Sequence, residues 1–286
     1  MALDESWFTE PMESEGTAFS LKITRKLHEE RSPFQLIEVY ETTHWGRLLL
    51  LDGAVMLTQR DNFTYHEMMA HPVLFTHPNP RDVLIIGGGD CGMLREVLKH
   101  DSVQRAVQVD IDERVTRVAE QFFPELTASN DDPRAELLFD DGVAYLKNAP
   151  AGSFDVIIVD STDPVGPAAG LFGPEFMQDA YRALRDDGLI VQQSESPILH
   201  LDSILKELYG VMRGAGFKKV VTLSYPVVGY PSGWWSATMA GKGADLTRFR
   251  EEDAAAKPFE TLYYNAAIHR GALAAPEFCK KLFTDQ

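Results

Sequence analysis

Residues 154–167, FDVIIVDSTDPVGP, decide the fold of this chain because they join a buried strand to an acidic loop. The unbroken apolar run 156–159 is typical of a strand that is buried on both faces of a parallel sheet. Ligands of open α/β sheets bind beyond the carboxyl ends of the strands, where Asp160 and Asp163 follow this run. Two carboxylates with no basic neighbour in the sequence favour a positively charged ligand. The alternative interpretation is that Asp160 caps a helix and Asp163 begins a turn before Pro164.

From about residue 63 onward, strand and helix patterns alternate. Seven strands are predicted at 83–87, 106–110, 135–139, 155–160, 189–193, 220–223 and 234–240. Helices are predicted between them at 93–100, 113–122, 142–148, 174–185 and 198–215. In the fourth helix, Pro174 at the start and Gly188 just past the end match the usual positions of these residues. The alternation predicts an α/β fold with a doubly wound sheet of about seven strands.

The N-terminal residues have a different pattern. Apolar and polar residues alternate at 19–23, and 33–42 is rich in β-forming residues. Asp52-Gly53 lies between two apolar runs and suits the type I′ turn of a hairpin. We therefore predict a small N-terminal all-β domain.

The domain boundary is placed at 1–62 for the β domain and 63–286 for the Rossmann-like domain. A β segment this small is only marginally stable by itself. We expect it to pack on the larger domain and on another subunit, in a homodimer or homotetramer.

Composition excludes several protein classes. The chain has 286 residues, with 44% hydrophobic and 24% charged residues, which excludes disordered and fibrous proteins. It has no run of about 18 apolar residues, and its N-terminus is acidic, so we expect no membrane span or secretory signal and a cytoplasmic location. Cys91 and Cys279 cannot form a disulfide framework or a four-ligand metal site by themselves, and we expect both to be reduced.

The net charge of −16 opposes binding to nucleic acid and favours attraction of small cations. The alternative is that the charge serves only solubility.

A glycine-rich loop, GGGDCG at 87–92, follows the first predicted strand and precedes a helix. With Asp110 about 20 residues further on, it matches the dinucleotide-binding pattern, in which the acid binds the ribose. Asp90 argues against a dinucleotide, because its carboxylate would lie against the pyrophosphate. A phosphate-free nucleoside with a positive centre, such as an adenosyl sulfonium, fits better. The alternative is that the glycines only permit close packing of strand and helix.

Asp141-Gly142 follows the third predicted strand. Such an acid can accept a hydrogen bond from the exocyclic amine of adenine, and it can equally cap a helix or form a turn. It is one of four acids at successive strand ends, with Asp90, Asp110 and Asp160. Stability alone does not explain this row, because crowded carboxylates repel one another.

Two further segments contribute candidate site residues. His66 and His71 are five residues apart, which does not place both on one helical face, so we predict no metal site. Tyr65 and His66 are expected to line a pocket beside the sheet. The loop 229–234, GYPSGW, is expected to provide an aromatic wall against a cation or an alkyl chain, although by itself it could be a surface turn.

Several motifs together resemble those of the spermidine synthases, a polyamine aminopropyltransferase family. The matching segments are LDG (51–53), RDNFTYHEMMAHP (60–72), LIIGGGDCGMLREVLKH (84–100), DDGVAYL (140–146), DSTDPVGPAAGLF (160–172), QQSESP (192–197), YPSGWW (230–235) and YYNAAIH (263–269). The resemblance runs from about Trp7 to the last helix. It implies a methyltransferase-like sheet behind an N-terminal β domain. It also implies transfer of the aminopropyl group of decarboxylated S-adenosylmethionine to putrescine, giving spermidine and methylthioadenosine without a metal or other cofactor.

The resemblance also implies roles for individual residues. Asp160 corresponds to the catalytic base of the family. The residues that correspond to the amine-binding site are Tyr65, His66, Asp90, Asp163, Gln193, Glu195 and Tyr230. Those that correspond to the nucleoside site are Gln35, Asp110, Asp141, Gly142 and Pro167. The chain departs from the family at Asp110 (usually Glu), Met56 (commonly Gln), Asn62 (commonly Glu), Cys91 (commonly Gly) and Gly229 (usually Thr).

Other functions stay open at this point. The acceptor could be cadaverine, agmatine or a longer amine. A methyltransferase acting on a basic amine would use the same sheet, but these motifs offer no basic partner for the α-carboxylate of S-adenosylmethionine. A non-enzymatic polyamine-binding protein is a further alternative, which release of methylthioadenosine would exclude.

Overall fold

The N-terminal sheet is antiparallel, and its strands are ordered as they occur in the chain. The computed structural model describes residues 3–163 and 166–283, and the side chains of Gly166 and Pro167 lie outside the described part. The strands of this sheet are β1 (Trp7–Met12), β2 (Thr17–Arg31), β3 (Leu36–Thr42), β4 (Arg47–Leu51) and β5 (Ala54–Thr58). Asp52 and Gly53 have φ values of 49° and 84°, so the hairpin between β4 and β5 turns as the sequence predicts.

The second sheet has seven strands, as predicted. They are β6 (Asp82–Gly87), β7 (Arg105–Asp110), β8 (Ala135–Phe139), β9 (Phe154–Asp160), β10 (Leu184–Gln193), β11 (Lys219–Pro226) and β12 (Trp234–Gly241). Their spatial order is β11-β12-β10-β9-β6-β7-β8. The five strands from β10 to β8 are parallel, and β12 runs antiparallel to both β10 and β11. The chain order reverses between β6 and β9, where Gly87 pairs with Asp160, and this is where such sheets bind ligands.

Helices cover both faces of the second sheet. They are α1 (Asn62–Thr76), α2 (Gly92–Leu98), α3 (Glu113–Phe122), α4 (Gly142–Asn148), α5 (Pro174–Ala183), α6 (Pro197–His200), α7 (Lys206–Ala215), α8 (Glu251–Ala255), α9 (Ala266–Ala272) and α10 (Lys280–Phe283). One turn of π-helix, Leu201–Leu205, joins α6 to α7, so the predicted helix at 198–215 is not regular. Short 3-10 helices lie at Gly166–Phe172, Pro231–Gly233 and Glu277–Cys279. No helix in the described ranges is both long and apolar enough to cross a membrane.

Helix α1 connects the two sheets, and the sequence did not predict it as a helix. Nearly every residue in it is buried, polar ones included, so it has no polar face and no amphipathic period. It begins at Asn62, four residues after the end of β5 at Thr58. The boundary at 62 between the two domains stays a prediction.

The predicted end of the fourth helix is wrong. Helix α5 ends at Ala183, and Gly188 lies inside β10, where the pairing with β9 shifts register between Leu184 and Leu189. The extended backbone is stabilised by Arg185, which binds Asp155 at 2.5 Å and Asp82 at 2.8 Å. These partners lie on neighbouring strands, and a local glycine signal cannot reveal them.

The N-terminal sheet packs against the larger domain through an apolar cluster. The buried members of this cluster are Ile37, Val39, Leu49, Leu57, Val115, Val118, Phe123 and Leu126. Four of them come from the N-terminal sheet and four from α3 and the residues that follow it. The sheet therefore forms a wall beside the carboxyl ends of β6 and β7.

We predict that two glycine substitutions lower the free energy of unfolding by very different amounts. Both Gly87 and Gly53 have positive φ, but a Cβ at Gly87 would lie 2.0 Å from the carbonyl oxygen of Asp160, whereas a Cβ at Gly53 meets nothing within 4 Å. Gly53→Ala should lower the free energy of unfolding by about 1–2 kcal/mol, the cost of the left-handed conformation. Gly87→Ala should cost more than about 4 kcal/mol, because β6 and β9 must separate. Urea unfolding of both variants tests this, and equal costs would contradict the close approach at Gly87.

Candidate active site

A cavity of about 460 Å³ opens at the carboxyl ends of β6, β7 and β9, between the two sheets. Nine of the predicted site residues line it, namely Gln35, Tyr65, Asp90, Asp110, Asp141, Gly142, Asp160, Asp163 and Tyr230. Among the described residues of its lining, none is lysine or arginine. His66, Gln193 and Glu195 lie behind this lining, each with about 2% of its surface exposed. The side chain of Pro167 lies outside the described residues.

Asp160 is the last residue of β9 and lines the cavity. Its Oδ1 accepts a hydrogen bond from the hydroxyl of Tyr65 at 2.6 Å, while its Oδ2 is buried without a protein partner. Burial and the nearby charge of Asp90 raise the pKa of Asp160 to about 7. A carboxyl with one unpaired oxygen and a pKa near neutrality can accept a proton from a bound substrate.

Asp90 forms a buried pair with His66. The Nε2 atom of His66 lies 3.3 Å from Oδ1 of Asp90, which also accepts a hydrogen bond from the amide of Gly92 at 2.6 Å. Burial alone would raise the pKa of Asp90, but the His66 ring and the Gly92 amide outweigh it and lower that pKa. Asp90 therefore stays ionised beside Asp160. Gly92 is needed here because a Cβ at this position would lie 2.3 Å from Cε1 of His66.

Cys91, which departs from the family pattern, has a buried and unreactive thiol. Its φ of 65° is in the left-handed region, which explains why glycine suits this position. Burial and the charge of Asp90 raise the pKa of the Cys91 thiol to about 12. A thiol in this state is not a nucleophile at neutral pH.

The nucleoside end of the cavity contains Asp110 and Asp141. Burial raises the pKa of Asp110 to about 6, and its Oδ1 accepts a hydrogen bond from the amide of Asp112 at 2.8 Å. Asp141 caps α4, since its Oδ1 accepts from the amides of Val143 and Ala144 at 2.8 and 3.3 Å. The cap interpretation is thus correct for one oxygen of Asp141, while its position on the cavity keeps a binding role open.

Gln35 lies at the same end of the cavity, on the N-terminal domain. Its side-chain amide donates to Oδ2 of Asp112 at 2.9 Å, and the hydroxyl of Ser32 donates to the same oxygen at 2.6 Å. Asp112 therefore connects the segment before β3 to the residues that follow β7.

At the other end of the cavity, carboxylates crowd around Asp163. Glu195 forms a hydrogen bond with Asp163, and burial together with this neighbour raises the pKa of Glu195 well above its usual value. Glu10 of β1 accepts a hydrogen bond from the amide of Val55 at 3.1 Å. Burial, partly offset by that amide bond, and the charge of Asp163 raise the pKa of Glu10 to about 6. Three acids that lie this close together can bind a second positive charge, because a cation offsets their mutual repulsion.

The loop that carries Tyr230 is attached to the N-terminal half of the chain. The hydroxyl of Tyr230 donates to the carbonyl oxygen of Met56 at 2.6 Å, and the amide of Gly229 donates to Oδ2 of Asp61 at 2.8 Å. The ring of Tyr230 makes an edge-to-face contact with that of Tyr65, with 5.7 Å between centroids. The loop therefore forms the predicted aromatic wall beside Asp160.

Sequence reasoning missed three residues that shape this site, Glu10, Asp61 and Asp112. Glu10 lies on a strand that the sequence pattern did not predict, and no local signal distinguishes it. Asp61 and Asp112 were inside quoted or neighbouring motifs, but each acts through a contact with a distant segment. Their roles depend on which segments the fold brings together.

The histidines outside this site are held by other contacts. His71 lies 2.9 Å from His100 and 3.1 Å from Glu96, away from His66.

His77, with Asp155 and Asp187, forms the one group in the described ranges that is spaced for a metal. The Nδ1 of His77 accepts from the amide of Asn79 at 3.1 Å, which places the proton of the neutral ring on Nε2, the atom facing Asp187. This tautomer does not suit a metal ligand.

Comparisons with known proteins agree with this geometry. The family model described as spermine/spermidine synthase domain matches residues 62–250, and the one described as spermidine synthase tetramerisation domain matches residues 6–59. A polyamine aminopropyltransferase of Alkalilimnicola ehrlichii is 70% identical over the full length of both chains. One of Thioalkalivibrio sulfidiphilus is 62% identical over 98% of this chain and 99% of that protein.

Two solved structures are similar along nearly the whole chain. A spermidine synthase in complex with the transition-state analogue AdoDATO has a TM-score of 0.94 and 37% identity, covering 100% of this chain and 97% of that one. The spermidine synthase of Thermotoga maritima has a TM-score of 0.91 and 38% identity, covering 98% of this chain and 94% of that one. The resemblance identified from the motifs is therefore confirmed: this chain belongs to the spermine/spermidine synthase family of polyamine aminopropyltransferases.

Proposed function

We propose that this protein transfers the aminopropyl group of decarboxylated S-adenosylmethionine to putrescine, giving spermidine and methylthioadenosine. The observation that carries the proposal is the buried carboxyl of Asp160, whose Oδ2 has no protein partner, in a cavity that Asp90 and Asp163 also line and whose described lining has no lysine or arginine. The carboxylates of such a cavity lack positively charged partners until a cationic ligand binds. Family membership makes aminopropyl transfer the expected reaction.

The choice of donor follows from the same charges. Ordinary S-adenosylmethionine carries an α-carboxylate, which Asp90 would repel and which no basic residue of the described lining would receive. The decarboxylated donor presents only an ammonium and a sulfonium. Asp110, Asp141, Gly142 and Gln35 would hold the adenosine part, and Pro167 stays a predicted member of this set. This charge pattern also disfavours a methyltransferase.

The chemical step needs a neutral amine. An alkylammonium with a pKa near 10.4 is neutral in only about one molecule in 10^3.4 at pH 7, which corresponds to about 5 kcal/mol. Asp160 removes the proton, either directly or through the hydroxyl of Tyr65, which lies 2.6 Å from its Oδ1. The freed lone pair attacks the carbon attached to sulfur, the carbon–sulfur bond breaks, and its electron pair leaves with neutral methylthioadenosine. The leaving group requires no acid and no metal.

Alignment is the second contribution. The distal ammonium of putrescine binds among Asp163, Glu195 and Glu10, while Tyr65 and Tyr230 enclose the alkyl chain. With both ends held, the attacking nitrogen is kept near the donor carbon, and such positioning contributes up to about 7–11 kcal/mol in favourable systems. Cadaverine and agmatine carry the same two charges, so they are the alternative acceptors.

We also propose that the protein works as a homo-oligomer in the cytoplasm. The match of residues 6–59 to a tetramerisation domain supports an oligomer. Dimer and tetramer remain alternatives.

The replacement Asp160→Asn should lower turnover by about 10²–10⁴, because the side chain keeps its shape but cannot accept the proton. The wild-type kcat/KM should fall as the pH drops below about 7, the pKa of Asp160, since only the ionised carboxylate acts as base. Methylthioadenosine release from donor and putrescine measures both effects. Unchanged binding of methylthioadenosine by the variant is the control for folding, and turnover within a few-fold of wild type would exclude Asp160 as the base.

The replacement Asp110→Ala should weaken the binding of methylthioadenosine by about 1.5–3 kcal/mol, because the ribose hydroxyls lose a charged acceptor. Isothermal titration calorimetry measures the affinity. Asp101→Ala, an exposed acid before the opposite end of β7, is the control and should bind normally. An unchanged affinity in the Asp110 variant would remove Asp110 from the site.

Met56 should influence the choice between diamines. It lines the cavity where the family commonly has glutamine, and an apolar side chain distinguishes one methylene by only about 1–3 kcal/mol. Putrescine should be the best acceptor and cadaverine should still be used, with a ratio of about ten- to a few hundred-fold. Met56→Gln should raise this ratio, because an amide can bind an ammonium or its water. Competition between the two diamines measures it, and an unchanged ratio would mean that Met56 only fills space.

A further inference from the structure

His200 lies between two carboxylates that come from different domains. Its Nδ1 is 3.8 Å from Oε2 of Glu195, and its Nε2 is 4.0 Å from Oε1 of Glu15, in the turn between β1 and β2. The Nδ1 atom is buried and makes no hydrogen bond with the protein. His200 is the last residue of α6 and directly precedes the π-helical turn at 201–205. Such π-helical turns occur frequently at functional sites.

Glu195 is held rigidly in an unusual conformation. Its φ of 63° is in the left-handed region, which is costly for a residue with a side chain. Its carbonyl oxygen accepts from the hydroxyl of Ser236 at 2.7 Å, and its amide donates to Oε1 of Gln193 at 3.2 Å. These contacts fix the backbone, so the side chain reaches the acidic group of Asp163 and Glu10 from a defined direction.

The charges around Glu195 are unbalanced. Asp163 and Glu10 are acids, and Gln193 is neutral. In the part of the chain that the structure describes, His200 is the one basic side chain within 4 Å of the Glu195 carboxylate. Glu195 therefore has an acidic neighbour on the cavity side and an imidazole on the opposite side.

We propose that His200 is a positioning residue for the distal ammonium of the acceptor: its unpartnered Nδ1, 3.8 Å from the Glu195 carboxylate, moves into hydrogen-bond distance and donates to that carboxylate when the ammonium binds. This inference rests on the proposed function, because it assigns a task within the amine site. The imidazole orients the Glu195 carboxyl group, so that Asp163, Glu195 and Glu10 can bind the ammonium together. An acceptor that lacks the second amine makes no use of this arrangement. His200 should therefore affect diamine binding and not the reacting end of the substrate.

Four variants and two ligands test this proposal. The variants are His200→Ala, His200→Asn, His200→Gln and Glu15→Gln, and the ligands are putrescine and n-butylamine, which has the same four carbons but one amine. Binding is measured by calorimetry on protein saturated with methylthioadenosine, so that the result does not depend on turnover. In a parallel assay, kcat and KM for putrescine are measured with decarboxylated donor.

The Asn and Gln variants form a matched pair. An asparagine amide can occupy the position of Nδ1 and still donate to Glu195, whereas a glutamine amide corresponds to Nε2 and reaches toward Glu15. Since a hydrogen bond to a charged group contributes about 1.5–3 kcal/mol, His200→Ala should weaken putrescine binding by roughly 10-fold or more. His200→Asn should restore most of that affinity and His200→Gln should not. Butylamine affinity and kcat should stay within about threefold in all variants, and Glu15→Gln should behave as wild type.

Equal weakening of putrescine and butylamine in His200→Ala would overturn the proposal, because it would indicate a general structural effect. Equal putrescine affinities of His200→Asn and His200→Gln would overturn the proposal as well. The proposed function can fail separately. If wild type binds putrescine more tightly than butylamine but releases no methylthioadenosine, aminopropyl transfer is excluded. The binding data of the variants then still decide the role of His200.

Discussion

Burial of several carboxylates around a cavity whose described lining has no lysine or arginine is the constraint on which the site depends. Asp90, Asp110 and Asp160 meet at the ends of three adjacent parallel strands, and each is largely removed from water. These buried acids differ in their ionisation. Asp90 is kept ionised by His66 and the Gly92 amide, while burial raises the pKa values of Asp110 and Asp160 to about 6 and about 7. A cation that binds in this cavity favours the ionised forms of these acids, so its binding promotes loss of their protons.

The N-terminal sheet completes the site by closing it from the side. Four hydrogen bonds join the N-terminal segment to the larger domain near the cavity: the Tyr230 hydroxyl on the Met56 carbonyl, the Gly229 amide on Asp61, and the Ser32 hydroxyl and Gln35 side-chain amide on Asp112. The apolar cluster between the sheet and α3 supports these polar contacts. Glu10 comes near Asp163 because the N-terminal sheet is held in place beside the larger domain. The sheet thus contributes residues to the lining of the cavity, among them Leu49, Leu51 and Met56.

The two ends of the proposed acceptor site have different tasks, and their acids differ accordingly. At the reacting end, Asp160 has a pKa near 7 and a free oxygen, which suits transfer of a proton. At the distal end, burial and neighbouring acids raise the pKa values of Glu195 and Glu10 near Asp163, and a bound cation would relieve this repulsion. His200 lies behind the distal end, so the reacting end and the distal end can be tested separately by substitution. Burial and neighbouring charges set the pKa values of these acids, although their side chains are chemically alike.

Much of the fold could be predicted because it is encoded in short segments. The apolar runs 83–87 and 156–159 are typical of buried parallel strands, and Asp52-Gly53 adopts the hairpin turn that such a dipeptide favours. The acids at the strand ends could be located for the same reason, since the carboxyl ends of parallel strands meet at one edge of the sheet. The site residues identified by motif line the cavity or lie directly behind it, with the side chain of Pro167 outside the described part.

The tertiary structure decided everything that depends on contacts between distant segments. Helix α1 was not predicted because it is buried all round and has no polar face, and the role expected of Gly188 was wrong because Arg185 extends β10 toward Asp155 and Asp82. The pKa values of Asp160 and Glu195 come from burial and from acids far away in the sequence. Local sequence specifies strands, turns and the positions of acids, because these depend on neighbouring residues. Proton affinity and the meeting of Glu10, Glu195 and His200 depend on packing, which only the folded chain determines.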